Sequence, residues 1–399
     1  MTKRKLLAIA VAGALAAPAA MAQTGSVQIY GRANLSFDNF STSGATAGGV
    51  ADLKSRSRVV DSASRIGVRG TENLGGGLQA LFQIETGVNA DTGSGNGQSG
   101  AANPNSGTLG SRDSYVGLAG AWGSLRFGRQ SYWWVNGAII QTGANYVNTE
   151  VPFFSGVALG RMVGPTARTS NTVQYNSPTA GGFNVSLNFT PNSEAAAAGA
   201  NADGRIWGAT ARYSGRFNAQ VDYAQNQAAS PIAGTRPEVN GVKALVGWPY
   251  QPGAQISLIW LRVRNQIGAA AAGTIPGPAV GFSAANDRLS QSGWGLSWEH
   301  TFGNIQALAQ YGQLGNASGC GPVNGCANTS TNAYLLGARY LASKRTALYA
   351  TYNKVSNGSN QTTDYVAGGI SSVPNAGFVS GLAAGTDPRI FALGVIHNF

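Results

Sequence analysis

Apolar and polar side chains alternate strictly along this chain in segments of about ten residues, and the connections between segments are short and long by turns. In the first segment Val27, Ile29, Ala33, Leu35 and Phe37 take one face, and Gln28, Arg32, Asn34 and Ser36 take the other. Leu78, Ala80, Phe82 and Ile84 stand against Gln79, Gln83 and Glu85. Phe183, Val185, Leu187 and Phe189 repeat the pattern against Asn184, Ser186 and Asn188, as do Ile305, Ala307, Ala309 and Tyr311 against Gln306, Gln310 and Gly312. A period of two belongs to a strand with two unlike faces, so the chain reads as all-β.

The connections decide what kind of β structure this is. Short turns fall at 72–77, 119–123, 177–182, 214–216, 249–253, 301–304 and 342–345. Loops rich in Gly, Ser, Asn and Ala fall near 39–61, 88–110, 131–169, 190–204, 226–239, 265–289, 314–331 and 353–387. Seven turns and eight loops predict sixteen strands. A soluble sandwich has no reason to segregate its connections in this way, and no fixed period suggests a solenoid. A closed antiparallel transmembrane barrel does have one: its apolar face meets hydrocarbon, its polar face meets water, and an even strand count returns both termini to the short-turn, periplasmic side. Closure is obligatory, because a sheet edge in hydrocarbon leaves backbone groups unpaired at several kcal/mol each. The last segment suits the closing role, with Phe391, Leu393, Val395, His397 and Phe399 on one face. Trp207, Tyr213, Trp248, Tyr250, Trp260, Trp294 and Trp298 fall near segment ends, where interfacial girdles are expected.

The N-terminus reads as a secretory signal peptide: Lys3, Arg4 and Lys5, an apolar run over 6–17, then Ala20, Met21 and Ala22 as a small-x-small cleavage pattern. The run is shorter than the ~20 residues of a membrane-spanning helix. Residues 1–22 are therefore expected to be removed, leaving 23–399 as a single barrel domain. Of the 27 Lys+Arg, three lie in this leader, so the remaining 24 face 16 Asp+Glu and leave an excess of 8 positive charges. Cys320 and Cys326 lie in a turn-rich stretch, and an oxidising compartment would let them pair as a loop staple of about 2 kcal/mol. Two free thiols are the alternative.

Catalysis finds little support. His300 and His397 are the only histidines, both inside strand-like segments, which leaves a Ser-His-Asp arrangement almost without candidates. Glu85, Asp113 and Glu150 show no visible pairing for carboxylate chemistry. The triple glycine 75–77 imitates part of a dinucleotide fingerprint, but alternation follows it where a helix would be needed. The cations are scattered over strand faces without stacking aromatics, which argues against nucleic acid. No cofactor is expected.

Several blocks resemble the general porins of β-proteobacteria, the neisserial and Comamonas-type trimeric porins. The most specific is SRIGVRGTENLGGGLQALFQIE at 64–85, a strand, turn and strand. YVGL at 115–118, GRQ at 128–130, NTVQYNSP at 171–178, YLASKRT at 340–346 and GVIHNF at 394–399 follow in family order. Ile396 departs from the resemblance, since the family often has a basic residue there. The resemblance implies a homotrimer of sixteen-stranded barrels in the outer membrane, among outer-membrane lipid and lipopolysaccharide, passing small hydrophilic solutes. It also implies that the third long loop, 131–168, folds inward as a constriction, with TEVPFFSG at 149–156 resembling its turn.

For such a channel the relevant chemistry is electrostatic, because cations in a narrow pore favour anions over cations. Arg65 and Arg69 share the inward phase, opposite Ile66 and Val68. Arg112 and Arg168 carry over from the resemblance, as the start of the fourth strand and the end of the constriction loop. Arg112 conflicts with phase, since Val116 and Leu118 have its parity and cannot face lipid while it faces water in one continuous strand. Within the loop Glu150 is opposed by Arg161 and Arg168. These six residues form the expected filter of an anion-preferring general diffusion channel. A substrate-specific channel is the runner-up, kept open by Tyr132, Trp133 and Trp134; a barrel enzyme or an adhesin is the reading from a different class.

Overall fold

The structure is a computed structural model that describes residues 25–46, 52–62, 64–91, 109–131, 168–191, 204–227, 238–266, 288–320, 325–364 and 383–399. Its elements are β1 (Ser26–Ser43), β2 (Arg56–Asp61), β3 (Arg65–Gly75), β4 (Leu78–Gly87), β5 (Ser114–Gly120), β6 (Gly123–Ser131), β7 (Arg168–Asn176) and β8 (Phe183–Pro191). There follow β9 (Arg205–Ser214), β10 (Asn218–Gln227), β11 (Glu238–Gln251), β12 (Ala254–Gln266), β13 (Arg288–Phe302), β14 (Ile305–Leu314), β15 (Thr331–Leu341), β16 (Thr346–Asn357) and β17 (Asp387–Asn398).

From β3 onward each strand pairs antiparallel with the next, and β1 pairs with β17 from Arg32–Asn398 to Ser43–Asp387, which closes the sheet. The last residue completes the seam through the reciprocal bonds Gly31 N→Phe399 O, 3.0 Å, and Phe399 N→Gly31 O, 3.1 Å. Seventeen segments make sixteen staves because β2 and β3 both pair with β1, one after the other. Three positions separate Asp61 from Arg65, whereas only two separate their β1 partners Leu35 and Arg32. This bulge reverses the inward phase from Arg58 to Arg65. Its polar groups are paired: Asn34 N donates to Ser64 Oγ at 2.9 Å, Asn34 Nδ2 to Ser62 O at 2.8 Å, and Ser64 N to Asp61 Oδ1 at 3.0 Å.

The outward face is apolar around the barrel, with Ile29, Phe37, Ile66, Val116, Leu187, Val221, Leu258, Leu296, Leu336 and Leu393 all exposed. Such exposure would be a liability in water and is required in hydrocarbon, where an outward Arg or Lys at mid-depth costs about 2–4 kcal/mol. Aromatic pairs flank this band. Phe183–Tyr213 and Tyr213–Phe217 lie at the short-turn end, with ring centroids 4.6 and 5.0 Å apart; Phe189–Trp207 and Trp294–Tyr311 lie at the loop end, 4.3 and 5.6 Å apart.

Some expected boundaries need correction. Residues 39–43 and 56–61, assigned to a loop by the sequence, are strand, and β16 runs to Asn357, beyond the expected end at 353. These extensions rise past the hydrocarbon, where the outward face no longer has to be apolar, so polar Asn39, Ser41 and Ser57 erase the alternation without ending the strand. Cys320 and Cys326 are bonded, with Cα atoms 5.3 Å apart, in the loop between β14 and β15.

Candidate functional site

The inward face of the wall from β3 to β7 gathers the cations. Arg65 opens β3 opposite the outward Ile66, and Glu85 sits near the end of β4, where Gly67 pairs with it across the sheet. The conflict over Arg112 is resolved by the chain itself. β5 begins only at Ser114, and 111–113 is a bend in which Arg112 N donates to Glu85 O at 2.9 Å, so the phase of Val116 and Leu118 does not reach back to Arg112. Opposite, the β6–β7 register shifts between Gly128 and Gln130. Gly128 has φ 147°, and a Cβ there would collide with the backbone of Ser114 and Tyr115. The bulge lets Arg129 depart from simple alternation, with Nε donating to Ser111 O at 3.0 Å and Nη1 to Ser170 Oγ at 3.1 Å.

Two linked ion clusters result. Glu85 accepts from Arg112 Nε at 2.5 Å, from Tyr30 OH at 3.1 Å, and faces Arg65 Nε at 3.7 Å. Asp113 faces Arg168 Nε at 3.2 Å and accepts two contacts from Ser131 Oγ at 2.7 and 3.0 Å. Three guanidinium groups, those of Arg65, Arg112 and Arg168, thus meet two carboxylates, and Arg129 stands beside them on Ser111 O and Ser170 Oγ. Each carboxylate orients its partners, and the surplus charge stays positive. The side chains of Arg65, Arg112 and Arg168 keep 24%, 16% and 14% of their surface exposed, so the cluster is not sealed from water.

Of the expected filter, Arg65, Arg112 and Arg168 come together. Arg69 shares their face but stands apart, stacked 4.8 Å from the Tyr30 ring centroid and donating to Gln28 Oε1 at 3.0 and 2.9 Å. Glu150 and Arg161 lie outside the described residues, as do Tyr132, Trp133, Trp134 and most of the expected constriction loop. The sequence reading missed Arg126, whose guanidinium lies 4.7 Å from the Tyr115 ring centroid; its alternation with Leu125 and Phe127 could have revealed it. It also missed Arg129, which no alternation could show. A second polar group lies on β9–β11, where Lys243 Nζ is 3.5 Å from Asp222 Oδ2, Thr210 donates to Asp222 at 2.6 Å, and Arg212 Nε donates to Gln220 at 3.1 Å.

From β11 to β17 the inward phase changes character. Leu245, Ile259, Leu261, Val263, Leu314, Leu335, Val355 and Ile390 share it with uncharged polar side chains such as Ser257, Gln291, Gln310 and Asn353, all closed off from solvent, and Lys243 is the cation buried among them. Arg65, Arg112 and Arg168 are thus gathered on one arc of the inner wall, while Arg339 on β15 stands apart and donates to Gln306 Oε1. A row of fixed cations beside a low-dielectric wall attracts small anions, and planar guanidinium donors suit oxyanions as well as chloride.

Comparison with known proteins agrees with this architecture. The family model described as Gram-negative porin matches residues 8–386. The chain is 27% identical over 357 residues to "Major outer membrane protein P.IB" of Neisseria lactamica, covering 86% of this chain and 91% of that protein. It is 34% identical over 203 residues to an outer membrane porin protein of Bordetella pertussis, covering 47% of this chain and 48% of that one. Among solved structures it resembles "Anion-selective porin from Comamonas acidovorans", with TM-score 0.69 at 21% identity, covering 94% of this chain and 100% of the other. Porins are passive channels and not enzymes. A closed sixteen-stave barrel, an apolar outside and a family match along nearly the whole chain make this protein a member of the Gram-negative porins of the outer membrane.

Proposed function

We propose that this porin is a general diffusion channel with a preference for anions, and that Arg65, Arg112 and Arg168 are the core of its filter, with Arg69 on the approach and Arg161 and Glu150 contributed by the third long loop. One observation carries the reading: three guanidinium groups meet two carboxylates on an inner wall that water reaches, which leaves the cluster positive. Net charge alone would not suffice, since rim charges beyond a Debye length of ~8 Å are largely screened at physiological salt.

A reversal potential across a KCl gradient in a planar bilayer tests this. Chloride is expected to be favoured, and R65A/R168A should move the channel towards neutrality. K344A/R345A, in a turn at the rim, should change it little. Cation preference in the wild type, or equal effects of the two double variants, would refute the filter and leave a plain water-filled pore.

Export by cleavage after Ala22 and assembly into a homotrimer complete the proposal, along with contact with lipopolysaccharide of the outer leaflet. N-terminal sequencing of the outer-membrane protein should begin at Gln23. Native mass spectrometry in mild detergent should find three copies; a stable conducting monomer would contradict the trimer and leave the barrel intact.

A further inference from the structure

On the outward face, β9 and β12 change character in the same order towards the long loops. β12 presents Ile256, Leu258 and Trp260, then Arg262 and Arg264, both exposed. β9 presents Ala209, Trp207 and then Arg205. Trp260 pairs in register with Trp294 of β13, so Arg262 and Arg264 stand directly above an indole pair. The opposite end of this surface is built differently. There Tyr250 OH contacts His300 Nδ1 at 2.7 Å and accepts from Trp298 Nε1 at 2.9 Å, an aromatic knot around a histidine.

Two leaflets of different chemistry account for that asymmetry. An arginine at mid-membrane is expensive, yet just beyond an aromatic girdle the cost falls to about 0–1 kcal/mol, and each cation near an anionic surface gains affinity for it. Guanidinium groups on one face of a strand, two residues apart, stand roughly 7 Å from each other. Their forked donors match phosphate oxygens, and the indoles below offer an amphipathic platform at the acyl boundary. Arg262 Nε donates to Ser290 Oγ at 3.1 Å, which fixes its stem and leaves the terminal nitrogens available. The acid of this neighbourhood, Glu238, accepts from Asn240 Nδ2 at 2.8 Å and Gln227 Nε2 at 3.2 Å.

We infer that Arg262 and Arg264, above Trp260 and Trp294, bind a phosphate of lipid A in the outer leaflet. The inference deepens the lipopolysaccharide contact proposed above and rests on the loop end facing outward.

Native mass spectrometry of the whole porin in detergent, titrated with bisphosphorylated lipid A, tests it. Adducts are expected on the wild type, with affinity about 30-fold lower in R262Q/R264Q, the combined effect of two surface cations. K344Q/R345Q should bind as the wild type does, dephosphorylated lipid A should bind far more weakly, and millimolar inorganic phosphate should not displace the lipid. R264Q alone serves should the double variant fail to fold. Equal binding by R262Q/R264Q, equal loss in K344Q/R345Q, or displacement by inorganic phosphate would overturn the inference. Reversal potentials separate it from the filter: R262Q/R264Q should leave them unchanged, and a shift would place these arginines in the pore. A channel lacking anion preference that still binds lipid A through these arginines would sink the filter alone.

Discussion

The inner wall has two halves that obey the same period of two and use it differently. From β3 to β10 the inward positions hold Arg65, Arg126, Gln174, Asn188, Arg212 and Asp222, joined by ion pairs and side-chain hydrogen bonds, with Arg126 stacked on Tyr115. From β11 to β17 Leu245, Leu261, Leu335, Val355 and Ile390 stand among buried Gln310, Thr351 and Asn353, and Leu261, Leu335, Val355 and Ile390 have 0% of their surface exposed, against 24% for the Arg65 side chain. Alternation thus states which face turns inward and not what that face does. The outward face is under one constraint everywhere, hydrocarbon; the inward face answers to water on one arc and to packing on the other.

The largest effect that separates the two arcs is the response to a new carboxylate. Leu335→Asp would bury a charge between the amides of Gln310 and Asn353 with no cation opposite it, at a cost of about 3–5 kcal/mol, whereas Asn184→Asp on β8 would stand opposite Arg212. Folded fraction by gel mobility across a urea series should collapse for the first and stay near wild type for the second. If L335D folded as well as N184D, the second arc would have to be wet.

A smaller effect sharpens the polar arc itself. Glu85 is the carboxylate between Arg65 and Arg112, so Glu85→Gln removes one of two negative charges while its amide oxygen still accepts from Arg112 and its amide nitrogen can donate to the Tyr30 hydroxyl. Chloride preference should rise a few-fold in a KCl gradient, and the gain should shrink in molar salt as screening shortens to about 3 Å. Lower anion preference in E85Q would mean that Glu85 acts by positioning the arginines more than by its charge.

The barrel was legible because a closed sheet in lipid must alternate, and Arg65 and Arg69 were legible because Ile66 and Val68 mark the opposite phase. Legibility ended where phase breaks or loses contrast. Arg112 lies in a bend, Arg129 in a bulge, and the register slip between Asp61 and Arg65 turns one stave into two segments. On β12 the run Ile256 to Val263 is apolar on both faces at several positions, so period two has little contrast there, and the buried role of Leu261 was invisible. Glu85 and Asp113 show no partner in the sequence; their partners are arginines brought close by strand pairing, which no local pattern encodes.

Each arc also carries a tyrosine laid over a glycine of the neighbouring strand, which allows a matched test of rigidity. Tyr30 covers Gly67, where a Cβ would lie 2.5 Å from the ring; Tyr349 covers Gly394 and donates to Asn34 Oδ1 at 3.0 Å. Tyr349 is buried and Tyr30 borders the wet arc, so Gly394→Ala should cost about 1–3 kcal/mol and Gly67→Ala less than half of that. Thermal melts followed by circular dichroism would show the order. A reversed order would mean that Tyr30, held by Glu85 and stacked on Arg69, is the less adaptable ring.

The smallest effect belongs to the disulfide in the loop above the aliphatic arc. Chain-entropy arguments put so short a bridge at about 2 kcal/mol, but that assumes a loop otherwise free to open. This one is tied at Thr329: Ala317 N donates to Thr329 Oγ1 at 2.7 Å, Thr329 Oγ1 to Cys326 O at 2.8 Å, and Thr329 N to Asn316 Oδ1 at 3.0 Å. Gln291 of β13 and Gln361 of the connection after β16 reach Thr329 O at 2.9 and 2.7 Å. With those bonds in place C320S/C326S should lower the melting temperature less than Thr329→Val, which strands the buried amide of Ala317 and the carbonyl of Cys326. Neither variant should change the reversal potential, because the filter lies on the other arc. A disulfide-free protein that melted well below T329V would show that the bridge, and not the hydrogen-bond hub, holds this side of the mouth; a shift in selectivity would show that the two arcs are coupled through the loops.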